Sequence, residues 1–423
     1  MSDPNNKNRS AETQHLSDIL KEEIPVEELR DSSSQRRIAS IDFVKGFAMC
    51  FIILAHSALS WLDRDWRYLY GLVFAFLDIL GPSLFVFLSA LSVIFSIKKK
   101  KGVVSEKIIR NRIFTRGLMI IILGVIFNPI SLGTTNLEVP FPLNLWGWNF
   151  FMFIGFSQIF SYYALKLGKI TRGIIGVIVI YISPYIRQFL FDYEKTNIGI
   201  WILRFIITSP LPQVPFLPWI AICFISTIFG EALHDAMIKG SGEAYKNLFR
   251  IFVYWGLLLV ILGIFGPVVK DWRILTGLEL QTTNTIEVTE YYFIDLLRIA
   301  NQQDYVQFTG MPLFLIRSTT SNMFYNLGVG LLILAACFYF IDIKQKSNDF
   351  IRMIIFYGKV SMSLFIIHHI FLPLYLGQFS IIFVPFLWVA YCGFLGLLMY
   401  IWHKYFNGVG SPEWLMSQRR RSG

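Results

Sequence analysis

Residues 41–61 read IDFVKGFAMCFIILAHSALSW, and this stretch decides the class of fold. A helix of this length crosses a bilayer, whose hydrocarbon core takes roughly 20 consecutive apolar residues. Asp42, Lys45 and His56 are its only charged or imidazole side chains. The stretch therefore predicts a membrane-spanning helix that carries three ionisable groups.

Similar apolar stretches recur along the 423 residues, of which 55% are hydrophobic and 16% are charged. The mean hydropathy of +0.55 is too high for a soluble multidomain protein. The sequence predicts an all-α, polytopic transmembrane helix bundle of about ten spans. They are 41–61, 69–97, 112–130, 147–165, 173–186, 216–235, 251–268, 323–342, 353–376 and 381–402. The fifth is short, with Pro184 at its end, and the apolar stretch 197–208 is suited to the membrane interface instead.

Basic residues are divided unevenly between alternate loops. The predicted inner segments hold 22 Lys or Arg in 73 residues, whereas the predicted outer loops hold 9 in 110. Because Lys and Arg are enriched in cytoplasmic loops, the chain is predicted to be a multi-pass protein of the cell membrane with both termini cytoplasmic. The net charge of +10 is mostly a topology signal and requires no nucleic-acid partner, although Lys98–Lys101 suit anionic lipid headgroups.

Composition divides the chain into three regions. Residues 1–35 are polar and poor in aromatic side chains, so they are expected to form a disordered cytoplasmic tail. Residues 36–410 are the transmembrane domain, with a long outer loop at 269–322, and 411–423 form a basic cytoplasmic tail. Four cysteines fall inside predicted spans, with no spacing typical of disulfides or a metal site: Cys50, Cys223, Cys337 and Cys392.

One face of the first span carries its three ionisable residues. At about 100° per residue, His56 lies about 20° from Lys45 and about 40° from Asp42 around the helix axis, and about 16 Å above Lys45. Ionisable groups near the bilayer centre cost at least ~2.5–3.5 kcal/mol each, so they usually face the bundle. The stripe predicts a link between a charged cytoplasmic mouth and an imidazole in the outer half of the membrane.

Other spans are predicted to add ionisable groups at the inner level. Arg112 and Arg116 lie four residues apart on one face of the third span, close to its cytoplasmic end. The run Lys98–Lys101 precedes them, and purely topogenic charge is the alternative interpretation for these cations. Asp42 and Lys45 have an alternative as well, which is to pair with each other or with Arg116.

Three further ionisable side chains are predicted in the outer half of the membrane. Asp78 lies in the second predicted span, just before Gly81-Pro82, and His368-His369 lie in the ninth. Neighbouring residues on a helix point about 100° apart, so only one of the two histidines is expected to face the interior. A hydrogen-bonded packing role is the alternative for each of these side chains.

A cationic inner mouth and an imidazole in the outer half suit one chemistry well. Arginine and lysine bind the phosphates of a nucleotide-bearing donor, and an imidazole can act as general base towards an acceptor amine or hydroxyl. Together they would move an acyl group across the membrane. A proton-coupled transporter or exporter also places His, Asp and Arg inside its bundle, so that alternative stays open. A structural membrane protein would not need so many buried charges.

Six segments carry an ordered set of short motifs. The first is RIASIDFVKG (37–46), and the others are 77–92, 116–129, 151–163, 216–233 and 356–372. In content and order they resemble the catalytic domain of heparan-α-glucosaminide N-acetyltransferase and its prokaryotic relatives, with Lys45 where that family usually has arginine. The family is similar in turn to the acyltransferase type 3 membrane enzymes.

The resemblance implies an integral membrane acyltransferase. The donor would be cytoplasmic acetyl-CoA or another acyl-CoA, held by its phosphates at Lys45, Arg112 and Arg116. The acceptor would be an extracytoplasmic amine or hydroxyl, such as that of a glycan or glycolipid. Membrane lipids are the remaining expected partners, no metal is expected, and a homodimer is left open.

The resemblance also implies the catalytic residues. It points to His56, fourteen residues after Asp42, as the catalytic histidine, with Asp78 or His368 orienting His56 or the acceptor. The animal heparan enzyme carries a further catalytic histidine before its second span, but no histidine occurs between positions 57 and 77 here. His56 is therefore expected to supply the base.

Overall fold

A computed structural model of the chain describes residues 38–62, 76, 78–98, 104–133, 141–208, 215–266 and 312–418. These residues form an all-α bundle without a β-sheet, which confirms the predicted fold class. The predicted N-terminal tail and most of the predicted outer loop lie outside the described residues.

Thirteen α-helices lie within the described ranges. They are α1 (Ala39–Trp61), α2 (Pro82–Lys98), α3 (Glu106–Gly133), α4 (Phe150–Ala164), α5 (Lys169–Tyr193), α6 (Ile198–Thr208), α7 (Phe216–Lys239), α8 (Gly242–Phe265), α9 (Thr320–Cys337), α10 (Asp349–Lys359), α11 (Ser361–Phe371), α12 (Val384–Phe406) and α13 (Pro412–Gln418). A π-helical segment, Phe338–Ile343, extends α9.

Seven of the described helices are long and apolar enough to cross a membrane, and the bent pair α10–α11 makes an eighth candidate. The chain is therefore a polytopic membrane protein. Helices α2 and α4 are apolar but shorter, and they occupy two further predicted spans, so the count of ten remains a prediction. Helix α6 has only 11 residues, too few to cross a bilayer, and its place in the interface also remains a prediction.

Pro184 lies inside α5, which corrects the prediction of a short fifth span. The helix runs for 25 residues, Lys169–Tyr193. Proline has no N–H to donate to the carbonyl four residues earlier, that of Ile180. The hydroxyl of Thr320, at the start of α9, donates to that carbonyl at 3.3 Å. A neighbouring helix thus supplies the missing donor, which is why proline is tolerated within membrane helices.

Only the later part of the second predicted span, 69–97, lies in a described helix. Asp78–Leu80 form a 3-10 turn, and α2 starts at Pro82, a residue favoured in the first turn of a helix because it has no N–H to satisfy. Residues 63–75 and 77 lie outside the described part of the chain. Asp78 therefore stands in a turn just before the helix, and this turn packs on α1 and α9.

Burial separates central helices from peripheral ones. Of the 18 most apolar consecutive residues of α7, 72% are buried, whereas only 22% of the corresponding residues of α12 are buried. The large apolar side chains on the outside of α5 recur every four residues, as expected for a lipid-facing stripe: Ile170, Ile174, Ile178 and Ile182. Helix α7 is therefore the centre of the bundle, and α5 and α12 lie at its periphery.

Two glycines bring α1 and α10 into backbone contact. A Cβ atom on Gly46 would lie 1.8 Å from the carbonyl oxygen of Ile354, and one on Gly358 would lie 1.8 Å from that of Asp42. Small residues allow this approach, which is a common way for membrane helices to associate. Immediately after α10 the chain bends by 84° into α11. The packing of α10 on α1 therefore sets the position from which α11 begins.

Candidate functional site

Helix α1 is fixed at both ends. At its start, the backbone N–H groups of Ala39 and Ser40 donate to the carboxylate of Asp342 at 3.2 and 3.1 Å. At its other end, Gly377 and Phe379 donate to the carbonyl groups of Ser60 and Trp61, both at 2.9 Å. His56 lies one turn and a half before that second end, far from the start of the helix. The position of His56 along the axis of the bundle is therefore fixed by contacts between α1 and distant parts of the chain.

Helix α11 is capped by a carboxylate from α13. The N–H groups of Met362 and Ser363 donate to Glu413 Oε1 at 2.9 and 3.1 Å, and the Ser363 hydroxyl donates to Glu413 Oε2. A negative charge at a helix N-terminus satisfies backbone donors and complements the helix dipole. The residues predicted as part of a basic tail thus begin with a helix that anchors α11.

His56, His368 and His369 form one cluster of imidazoles. His56 Nδ1 lies 2.9 Å from His368 Nε2. The ring centroid of His56 lies 5.1 Å from that of His368 and 4.9 Å from that of His369. One potential ligand nitrogen from each ring lies within 4.8 Å of the other two. Helices α1 and α11 thus bring together three side chains that are far apart in sequence.

Hydrogen bonds to backbone carbonyl groups assign the tautomers of the three rings. His368 Nδ1 lies 3.0 Å from the carbonyl oxygen of Leu364, and His369 Nδ1 lies 2.9 Å from that of Phe365. Because a carbonyl oxygen only accepts, each Nδ1 must carry the proton and donate it. His368 Nε2 then has a lone pair and accepts from His56 Nδ1–H. The remaining nitrogen of His56, Nε2, is left with a lone pair of its own.

Both members of the His368-His369 pair face the interior, which corrects the expectation that only one would. Their exposed fractions are 0% and 5%. Each imidazole folds back along α11 to the carbonyl group one turn earlier, and the two ring centroids lie only 4.0 Å apart. Sequence reasoning on a straight helix has no means to anticipate that fold-back.

The walls of the cluster are mainly aromatic. Phe127 meets the His369 ring edge-on at 4.9 Å, and Phe365 lies 6.2 Å from His56. The Tyr391 hydroxyl donates to the backbone oxygen of His368 at 2.5 Å. Among the described residues no carboxylate is hydrogen-bonded to any of the three rings. The described hydrogen bonds orient the imidazoles through one another and through backbone carbonyl groups.

Arg317 and Asp78 are the charged groups to consider beside the cluster. Arg317 precedes α9 and lies close enough for its positive charge to act on His56. Sequence reasoning did not single it out, because it falls in the long predicted outer loop. Asp78 lies in the turn that packs on α1, but the orientation of its side chain lies outside what the structure describes.

Lys45 and Arg116 lie at the same depth below the imidazoles. Lys45 is eleven residues before His56 on α1, and Arg116 is eleven residues before Phe127, which contacts His369, on α3. At 1.5 Å per residue each separation is about 16 Å. Arg112 lies one further turn down α3. All three side chains are half-buried, and they occupy the end of the bundle where α1 begins.

Other cations at that end are held by carboxylates. Lys98 lies 3.1 Å from Asp235 and 3.7 Å from Glu231, and the buried Arg172 is also paired with Glu231. In the loop after α4, a hydrogen bond from Lys166 to Glu106 raises the pKa of the lysine. By contrast, Arg112 has no ion pair within the described ranges. The paired cations are explained by local charge balance and need no ligand.

Residues 37–262, just over half of the chain, match the family described as heparan-alpha-glucosaminide N-acetyltransferase, catalytic. The chain belongs to this family. The match indicates a membrane acetyltransferase, and it includes the helix that carries His56. It ends before α11, so it does not reach His368 or His369. No curated protein and no solved structure matches the chain.

Proposed function

We propose that the protein transfers an acyl group from cytoplasmic acyl-CoA, with acetyl-CoA the leading donor, to an acceptor on the opposite side of the membrane. The observation that carries the proposal is the unshared lone pair of His56 Nε2, oriented through His368 in a chain of this family. The family name suggests a glycan, as a free sugar or a glycolipid, with an amine or hydroxyl group as the acceptor.

His56 acts as general base in this proposal. Its Nε2 takes the proton of the acceptor amine or hydroxyl as the acceptor atom attacks the thioester carbonyl carbon. The new C–N or C–O bond forms, the C–S bond breaks, and the proton passes from His56 to the leaving thiolate of CoA. His56 Nδ1–H stays hydrogen-bonded to His368, which spreads the positive charge of the transient imidazolium over two rings.

Lys45, Arg112 and Arg116 bind the donor phosphates. Charge-assisted contacts suit diphosphate and phosphate groups. The separation of about 16 Å between these cations and the imidazoles is a distance that the long, flexible pantetheine arm can span. The thioester then meets the acceptor beside His56, and Asp78 positions the acceptor or His56 from the turn before α2.

Purified protein incubated with labelled acetyl-CoA, with and without a glycan extract, tests the proposal. Label transferred to the extract, or acceptor-dependent release of CoA, is the expected result. Tight binding of a solute with no release of CoA would contradict the enzyme proposal and support the transporter alternative.

Arg116→Gln tests the donor site separately. Loss of a charge-assisted contact costs roughly 1.5–3 kcal/mol, so acetyl-CoA binding is expected to weaken by at least about tenfold. The matched control is Arg110→Gln, because Arg110 is exposed on the same helix and points to a different face. Calorimetry or a filter-binding assay measures both dissociation constants. Equal affinity in the two variants would return Arg116 to a structural or topogenic role.

A further inference from the structure

The three-imidazole cluster has the chemistry of a metal site, independently of acyl transfer. Imidazole nitrogens are preferred ligands of Zn²⁺, Cu²⁺, Ni²⁺ and Co²⁺. We propose that His56, His368 and His369 bind a divalent transition-metal ion, with Zn²⁺ as the reference ion, and that the bound ion blocks transfer. The ion is an inhibitor in this proposal and takes no part in the reaction.

The spacing of the nitrogens is close to that of a three-histidine site. Two nitrogens bound at about 2.0–2.1 Å to one tetrahedral Zn²⁺ lie about 3.3 Å apart. His56 Nδ1 and His368 Nε2 lie 2.9 Å apart, and one nitrogen from each of the three rings lies within 4.8 Å of the other two. Small rotations of the side chains are therefore sufficient, with His56 and His368 separating slightly and His369 moving closer.

The two histidines of α11 already have the surroundings of metal ligands. Metal-binding histidines almost always donate their second ring nitrogen to a carbonyl or carboxylate group, which fixes the tautomer and aims the lone pair. His368 and His369 both do this, with Leu364 and Phe365 as acceptors. Glu413 and Tyr391 in turn hold the backbone of α11 in place. Two lone pairs are thus fixed in direction before any ion arrives.

His56 completes the site by a change of tautomer. Its proton moves from Nδ1 to Nε2, and Nδ1 then becomes the third ligand in place of its hydrogen bond to His368. The set of ligands stays neutral and leaves a fourth coordination position open.

Inhibition follows from the same change of tautomer. Once Nε2 of His56 carries a proton, it has no lone pair. It then cannot take the proton of the amine or hydroxyl group that receives the acyl group. This consequence rests on the proposed function, whereas binding of the ion does not. Metal binding and acyl transfer are therefore measured separately, each on the full-length protein in detergent after treatment with a chelator.

The binding experiment titrates the protein with Zn²⁺ by calorimetry and with Co²⁺ by visible absorption. We expect one ion per chain and the intense absorption of four-coordinate Co²⁺. His369→Gln and His56→Gln are each expected to weaken Zn²⁺ binding by at least about 100-fold, since loss of an outer-shell partner alone costs 10–100-fold. His403→Gln is the matched control, because His403 lies on α12 outside the cluster.

Two outcomes would overturn the metal site: no saturable Zn²⁺ binding by the wild type, or equal affinity in His369→Gln and His403→Gln. Zn²⁺ binding through the cluster in a protein that transfers no acyl group would keep the site and refute the proposed function. Transfer that continues at saturating Zn²⁺ would overturn the inhibition. If variants of the cluster fail to fold, the Co²⁺ spectrum of the wild type still decides whether nitrogen ligands bind the ion.

Discussion

At the scale of single residues, two hydrogen bonds in series select the reactive nitrogen of His56. The Leu364 carbonyl fixes the proton of His368 on Nδ1, and His368 Nε2 then fixes the proton of His56 on Nδ1. In many hydrolases a carboxylate holds the catalytic imidazole in this way. Here a second imidazole and a carbonyl group provide the same orientation.

His368→Leu tests this relay. Leucine cannot accept from His56 Nδ1–H, so kcat is expected to fall by at least about tenfold, the equivalent of one hydrogen bond of roughly 1.4 kcal/mol. The KM for acetyl-CoA is expected to stay unchanged, because the donor phosphates bind far from the ring. In His368→Gln the side-chain oxygen can accept, so part of the rate should return. Equal kcat in the leucine and glutamine variants would refute the positioning role.

The sequence placed His56 and His368 in the outer half of the bundle, and the family motifs gave His368, or Asp78, the role of orienting His56 or the acceptor. His369 was underestimated because its ring folds back to a carbonyl group, a feature that no angular rule contains. Asp342 and Glu413 were missed for another reason. Their carboxylates act on helices 302 and 50 residues away, and nothing local in the sequence marks such long-range caps.

At the scale of helices, the crossing of α1 and α10 places the cluster. The reciprocal contact of Gly46 with Ile354 and of Gly358 with Asp42 sets how closely the two helices pack. The 84° bend then directs α11 across α1 at the level of His56. The sequence predicted one continuous span over 353–376. The contact of α10 with α1 lies before the bend, and the cap from Glu413 lies after it, so both ends of the bent pair are held by other parts of the chain.

Gly358→Ala tests this crossing. The added methyl group would lie 1.8 Å from the Asp42 carbonyl oxygen, so the two backbones must separate. Overpacking of this kind is expected to lower the free energy of unfolding by roughly 1–3 kcal/mol, measured by thermal denaturation in detergent. The control is Gly393→Ala, where the new methyl group meets nothing within 4 Å. Equal melting temperatures for the two variants would show that the crossing tolerates a wider spacing.

At the scale of the whole molecule, the site has two levels on opposite sides of the bundle. Lys45 and Arg116 lie at the end where α1 begins, and the imidazoles lie about 16 Å above them. Hydropathy predicted most of the helices well, because membrane spans must satisfy their own backbone groups, whereas the sidedness inferred from loop charge stays a prediction. Hydropathy did not predict which helices are short, since α2 and α4 depend on their neighbours for burial.

Orientation in the membrane follows from the distribution of Lys and Arg over the loops. Single cysteines introduced at 141–146 are expected to react with an impermeant thiol reagent added to intact cells. Cysteines at 104–107 are expected to react only after permeabilisation, since this side carries the basic loops. The reverse pattern would place the imidazoles on the cytoplasmic side and exclude transfer towards the outside.

His56→Ala tests the central claim most directly, in buffer that contains a chelator so that bound metal does not interfere. A general base supplies about 10²–10⁴-fold in rate, so acyl transfer is expected to fall by that factor. Acetyl-CoA binding, measured on the same preparation, is expected to stay close to that of the wild type, because the phosphates bind about 16 Å away. Turnover close to the wild type in a folded His56→Ala protein would contradict the account and assign the base to another group.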